Sequence, residues 1–174
     1  MKRAALFACL LALATPAFAE APADTAGPIT SQTERNAIAL RVRGGAACAQ
    51  CDLFQADLSY QNLAERNFSG SRLRQSELQI VIADRARFHG ANLSLANLLG
   101  GRFSSADFTD ANLSGAVMVG GYFGGAQFHG ANLTGANFSG AELAGALGLT
   151  QPQLSGACGD DRTTLPRGLT APRC

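Results

Sequence analysis

The sequence predicts a solenoid of short stacked repeats, and three observations carry that expectation. From Cys51 to Ala146 a five-residue unit recurs without insertion or deletion. Steps of five from Leu53 to Leu143 give nineteen positions, filled by ten Leu, seven Phe, Met118 and Ala83. Two residues earlier, from Cys51 to Ala146, twelve of twenty positions are Ala and two are Gly. A period of five drifts across both the 3.6-residue spacing of an amphipathic helix and the alternation of a half-buried strand, so neither element explains it. A short fixed period instead describes a unit that buries its apolar residue only by stacking on its neighbours.

Within that register, Ala91-Asn92-Leu93-Ser94, Ala106-Asp107-Phe108-Thr109, Ala131-Asn132-Leu133-Thr134-Gly135 and Ala136-Asn137-Phe138-Ser139-Gly140 resemble the A(D/N)LxX unit of the pentapeptide-repeat family. The resemblance runs in one register over about 95 residues. It implies an all-β fold: a right-handed quadrilateral β-helix of about five coils, one unit per side, with short helical caps at both ends. Stacked on that assumption, Leu53, Leu73, Leu93, Leu113 and Leu133 form one inward column, and Phe68, Phe88, Phe108 and Phe128 another. The remaining columns are Leu58, Leu78, Leu98, Met118, Phe138 and Leu63, Ala83, Phe103, Phe123, Leu143. Like sits on like, as a layered core requires. Val81 beside Ala83 reads either as volume compensation or as a bulged coil.

Taken in order, residues 1–19 read as a signal peptide. Lys2 and Arg3 precede the apolar run Ala4 to Ala14, and Pro16 and Ala17-Phe18-Ala19 precede Glu20. The run is too short to span a bilayer, so no stable membrane insertion is expected. Cys9 lies inside the run, too early for a lipoprotein cleavage site, and lipidation is discounted. Cleavage after Ala19 makes a periplasmic or secreted protein the expectation. The whole chain carries a formal charge of +1; without Lys2 and Arg3, twelve Arg face thirteen acids, 12 − 13 = −1. Near neutrality argues against nucleic acid as a partner.

Residues 20–29 read as a flexible leader and residues 30–47 as a capping segment. Ser31-Gln32-Thr33-Glu34 has capping-box spacing, and Ala37, Ile38, Leu40 and Val42 precede Gly44-Gly45, which predicts a helix from about Gln32 to Arg43. Such a helix would cover the first coil. Residues 48–147 are the repeat. Its early coils are irregular: Gln61 and Arg66 occupy small inward slots, and Arg66 is expected at the surface or paired with Glu65 or Asp84, since an unpaired buried Arg is costly. Arg72, Arg74, Arg85, Arg87 and Arg102 spread over several faces among Glu65, Glu77 and Asp84, as a solvated surface would. From Gly90 onward, glycine recurs at the last position of the unit, where the chain turns a corner.

Cys48-Ala-Gln-Cys51 is compatible with zinc, a redox dithiol, haem attachment or a structural bridge. Haem attachment needs His where Asp52 stands, and a redox motif ordinarily opens a helix, whereas Cys51 opens the repeat. Zinc needs two further ligands, and Cys158 and Cys174 lie beyond the far end of the stack. In an exported chain, two sequence-local pairs read as two disulfides, Cys48 with Cys51 and Cys158 with Cys174.

Outward positions are mostly Ser, Thr, Asn, Asp or Gly, with one exception. Ile80, Leu99, Val117 and Val119 project on or beside one face, flanked by Tyr60, Ile82 and Tyr122. Contiguous outward apolar residues mark an interface, either with a partner or with a terminal segment of the same chain. His89 and His129 share a column two coils apart with Thr109 between them, too far for one metal, and nothing converges on Asp107 and Asp110. No catalytic residue, metal site or cofactor is expected, and the chain is read as a non-enzyme.

Residues 148–174 are read as a C-terminal cap and tail. Thr150-Gln151-Pro152-Gln153-Leu154 predicts a short capped helix. Leu149-Thr150-Gln151, Cys158-Gly159-Asp160 and Leu165-Pro166-Arg167-Gly168-Leu169 resemble the tail of some proteobacterial pentapeptide-repeat proteins, which implies a bacterial envelope protein and no known activity. Leu154, Leu165 and Leu169 are expected over the last coil, with Pro166 and Pro172 keeping the tail from adding a strand. The functional expectation is a monomeric, non-enzymatic periplasmic scaffold or interaction module with a protein partner in the cell envelope. Two alternatives are weighed beside it. The family's DNA-mimicking, topoisomerase-binding members are one, disfavoured by the export signal and the lack of dense outward acid; a module for cell wall or glycan is the other.

Overall fold

The computed structural model describes residues 31–174; the expected signal peptide and the flexible leader fall on residues outside that range. The first element is α1, Gln32–Arg43. It begins where Ser31 can cap it: the Glu34 N–H donates to Ser31 Oγ at 3.2 Å, and the Ser31 N–H donates to Glu34 Oε2 at 2.7 Å. Ala39 and Val42 are its buried residues and Ile38 is partly covered, while Leu40 stays exposed. The helix ends at Gly44, followed by Gly45 at φ +107°.

From Asp52 to Leu147 the backbone makes one parallel bridge per five-residue unit, and each bridge joins residues twenty apart: Asp52 to Arg72 to Asn92, Asp57 to Glu77 to Asn97, Asn62 to Ile82 to Arg102, Asn67 to Arg87 to Asp107. Four bridge columns per twenty residues make a four-sided coil. No side is long enough for an extended strand, so each is a single paired residue between two corners. The repeat closes each corner with its own turn bond, as when the Ala56 N–H donates to the Leu53 carbonyl at 3.0 Å. The corner residue takes a left-handed conformation, which Gly adopts without steric cost. From Gly115 through Gly140 every such corner is Gly, but Gln55, Tyr60, Glu65, Gln75, Ile80, Arg85 and Leu95 adopt it too.

The inward columns are buried throughout, from Leu53 to Leu143. Phe68, Phe88, Phe108 and Phe128 stack with centroids 5.1–5.2 Å apart, and Phe103 stacks on Phe123 at 5.2 Å. Each such side chain contributes roughly 1.5–3 kcal/mol by leaving water. At Ala83 the coil keeps its register, with the Ala83 N–H donating to the Arg102 carbonyl at 2.7 Å, so there is no bulge. Val81 fills the space instead. The equivalent positions above Phe103 and Phe123 are Gly101 and Gly121, where a Cβ would lie 2.6 and 2.7 Å from the ring.

The second helix, α2, spans Gln151–Ser155 and buries Leu154. Gln153 Nε2 donates to the carbonyls of Phe128 and Ala131, each at 2.9 Å, capping backbone that the last coil leaves open. Beyond α2 the tail departs from expectation, because it does add rungs: Cys158 bridges to Asn137 and Thr164 to Glu142. The proline argument fails because proline removes only its own N–H. Residues 158 and 164 precede Pro166, and the Pro172 carbonyl accepts from the Gly159 N–H at 2.8 Å. Leu165 and Leu169 pack against the core from this partial coil. Arg66 also departs from expectation: Glu65 pairs with Arg85, and Asp84 with Arg102 at 2.6 Å. Arg66 is half-buried instead, its guanidinium against Gly45, where a Cβ would lie 3.2 Å from Nη2.

Candidate interaction face

Tyr60, Ile80, Leu99, Val117 and Val119 come together on one side of the coil, the side between the corner occupied by Gln75, Leu95 and Gly115 and the corner occupied by Tyr60, Ile80, Gly100 and Gly120. The ladder fixes their alignment. The Ile80 N–H donates to the Leu99 carbonyl at 2.8 Å, and the Gly100 N–H to the Val119 carbonyl at 2.9 Å. Tyr60 is 68% exposed and Ile80 50%. Val119 is half-buried. Ile82 and Tyr122, expected as flanking residues, lie on the next side with Arg102 between them in the same bridge column. Tyr122 turns along its own side toward Gly124, where a Cβ would lie 2.3 Å from its hydroxyl, and so away from the corner shared with Val119.

The structure adds a residue that the sequence reading passed over. Leu95, 50% exposed, occupies the opposite corner of the same side at φ +58° and leans over Gly115. Its signal was legible: an aliphatic residue at the unit's last position, where Gly or a polar residue is the rule. Ile80 at φ +55° is the same case with a β-branched side chain, which rarely takes this conformation. Charged neighbours are paired within the chain: Arg102 with Asp84, Arg43 with Asp57 at 3.3 Å, and Glu77 Oε2 accepting from Asn97 Nδ2 at 2.8 Å. The Asp57 carboxyl is held below the usual carboxylate range chiefly by the Ser59 N–H. Asp84 is lowered as well, its burial outweighed by the bonds from Arg102 and Ser104. Among the described residues the terminal segments meet this side at its two ends, at Asp57 and at Asn137. Helix α1 lies on the first coil, where Arg43 reaches the Asp57 carbonyl, and the tail lies on the last.

The two cysteine pairs stand at opposite ends. Cys48 is bonded to Cys51 with Cα atoms 5.3 Å apart, and Cys158 to Cys174 with Cα atoms 4.9 Å apart. Near the first pair, Asp52 pairs with Arg72 at 3.2 Å and Arg35 at 3.9 Å, and the guanidinium of Arg72 lies 4.6 Å from the Phe54 centroid. This clasp ties α1 to the first coil. His89 and His129 are exposed on one column; Asp107 accepts from the Thr109 N–H of its own turn at 2.9 Å, and Asp110 is a corner residue at φ +56°. Among the described residues no three His, Cys, Asp or Glu side chains gather in a way that could hold a metal ion. No helix there is long and apolar enough to cross a membrane.

Pentapeptide repeats match residues 51–79 and 111–147 in 8 copies, and a second description of the same repeats matches residues 83–127 in 9 copies. No curated protein matches the chain. Among solved structures, a pentapeptide repeat protein from the Arabidopsis thaliana thylakoid lumen is 27% identical, over 60% of this chain and 58% of that one, with a TM-score of 0.35. The chain thus spans less than two thirds of that protein's length. Rfr23 from a Cyanothece cyanobacterium is 22% identical over 76% of this chain and 99% of its own, with a TM-score of 0.46. A trypsin-treated form of QnrB1, a plasmid-mediated fluoroquinolone resistance protein, is 21% identical over 71% and 68%, with a TM-score of 0.39. With the repeat matched over residues 51–79 and 83–147 and the backbone closing a side every five residues, the chain belongs to the pentapeptide-repeat family.

Proposed function

We propose that this chain is a non-enzymatic scaffold of the bacterial cell envelope, a right-handed stack of about five coils that holds a protein partner on the side lined by Tyr60, Ile80, Leu95, Leu99, Val117 and Val119. One observation carries the reading: Ile80 and Leu95 are at once half-exposed and in a left-handed conformation that costs a non-glycine residue about 1–2 kcal/mol. A corner chosen for stability alone would be Gly, as it is at Gly100 and Gly115 in the following coil. Export is proposed from the Lys2-Arg3 start and the apolar run ending before Ala19, and two disulfides suit an oxidising compartment. The exported chain is proposed to be a monomer, with both ends of the stack occupied by its own segments.

The test is in-cell photo-crosslinking from position 80 or 95, comparing wild type with a Leu99→Asp, Val119→Asp double variant of equal circular dichroism. One envelope protein crosslinked from both positions and lost in the double variant supports the reading. The same products from both forms would remove this side as the partner site.

A further inference from the structure

The two disulfides stand in opposite surroundings. Cys48 is 3% exposed, with its carbonyl accepting from Ser71 Oγ at 2.5 Å; Cys51 packs against the core, and its N–H donates to the same hydroxyl at 3.3 Å. Cys174 is exposed, and its bond to the half-buried Cys158 lies at the outer edge of the tail. Apart from that bond, residues 165–174 are held by few contacts. Leu165 and Leu169 are only partly buried. Gln151 exchanges hydrogen bonds with Thr170, at 2.9 and 3.1 Å. Gly159 pairs with the backbone of Pro172 and Cys174, and an exposed Arg173–Asp161 ion pair adds little. Residues 158–164, by contrast, are built into the ladder through Asn137 and Glu142.

We infer that Cys158–Cys174 is a thiol-reducible latch on residues 165–174, whereas Cys48–Cys51 is a permanent staple of the first coil. Exchange requires a thiolate to reach a sulfur, and Cys174 is the one exposed cysteine among the described residues. A dithiol reductant attacks Cys174 Sγ, forming a mixed disulfide as Cys158 leaves as a thiolate and takes a proton. The reductant's second thiolate then attacks its own sulfur in that mixed disulfide and releases Cys174, which takes the second proton. Two electrons and two protons pass from the dithiol, which is left as a disulfide. In the closed state Cys174 Sγ lies 3.4 Å from Ser139 Oγ and 3.2 Å from Asn137 Oδ1, contacts it gives up when the tail opens. Opening takes Pro172 and Cys174 off the Gly159 N–H and carbonyl, leaving a backbone donor and acceptor beside the last rung to which an extended peptide can pair.

The test uses the folded chain in graded dithiothreitol at neutral pH, with N-ethylmaleimide trapping and peptide mapping, followed by hydrogen exchange. Cys158 and Cys174 are expected to be alkylated at least about tenfold faster than Cys48 and Cys51. Exchange over residues 165–174 should then rise at least about tenfold, while residues 51–147 keep their protection. Cys174→Ser should show the open tail with no reductant present. Reduction of Cys48–Cys51 at the same rate or first, or a reduced tail that keeps its protection, overturns the latch.

Discussion

Ile80 separates what a corner needs from what this chain does with it. Its backbone requires a residue tolerant of φ +55°, and its side chain gains little burial in return. Asn tolerates that conformation better, so Ile80→Asn should raise stability by roughly 0.5–1 kcal/mol in urea denaturation, while reducing crosslinking to a partner. A loss of stability would mean that Ile80 holds the corner. Inside the stack, Gly121 and Phe123 form a matched pair, just as Val81 and Ala83 do. Phe123→Ala alone should cost about 3–5 kcal/mol and Gly121→Val alone about 1–3 kcal/mol. The double variant recreates the Val81–Ala83 solution, and its cost should fall short of the sum by at least about 1 kcal/mol. The inward residues were legible because burial enforces the five-residue period. The fate of Arg66 was not, because its place depends on Gly45, which lies outside the repeat.

The end caps were legible where local chemistry writes them. The capping boxes at Ser31–Glu34 and Thr150–Gln153 both form as their spacing suggests. The contacts that dock α1 were not legible, because Arg35, Asp52, Phe54 and Arg72 meet only once the coil has closed. Asp52→Asn keeps an acceptor for the Phe54 N–H but removes the counter-charge of two largely buried arginines. We expect a loss of about 1–3 kcal/mol, read as faster amide exchange in α1 with the later coils unchanged. In the tail, Asp160 accepts from the Gly140 N–H at 2.8 Å; this bond first, then those from Arg162 and Thr163, lowers its pKa from 3.8 to about 2. A depressed carboxyl stabilises the fold above its unfolded value, and that contribution is lost as pH falls from about 4 through about 2. Gly140 amide protection should therefore decline over that window, and Asp160→Asn should remove the decline. Protection level down to pH 2 would show that Asp160 is not an anchor.

For the stack as a whole, a period of five announces repetition but not how many units close a coil; that number came from the family resemblance, and the ladder shows twenty residues per turn. Pairing at a spacing of twenty also sets an arithmetic for insertions. Duplicating residues 103–122 adds one storey and leaves every downstream side at the same azimuth. Duplicating residues 103–107 rotates everything beyond the join by a quarter turn, carrying Val117 and Val119 away from Ile80 and Leu99 while their own neighbours stay matched. Both chains should fold by circular dichroism, and only the longer duplication should keep the crosslink from position 80. Insertions in such a chain therefore count modulo four units: full multiples lengthen a surface, and remainders misalign its two halves like the tumblers of a combination lock.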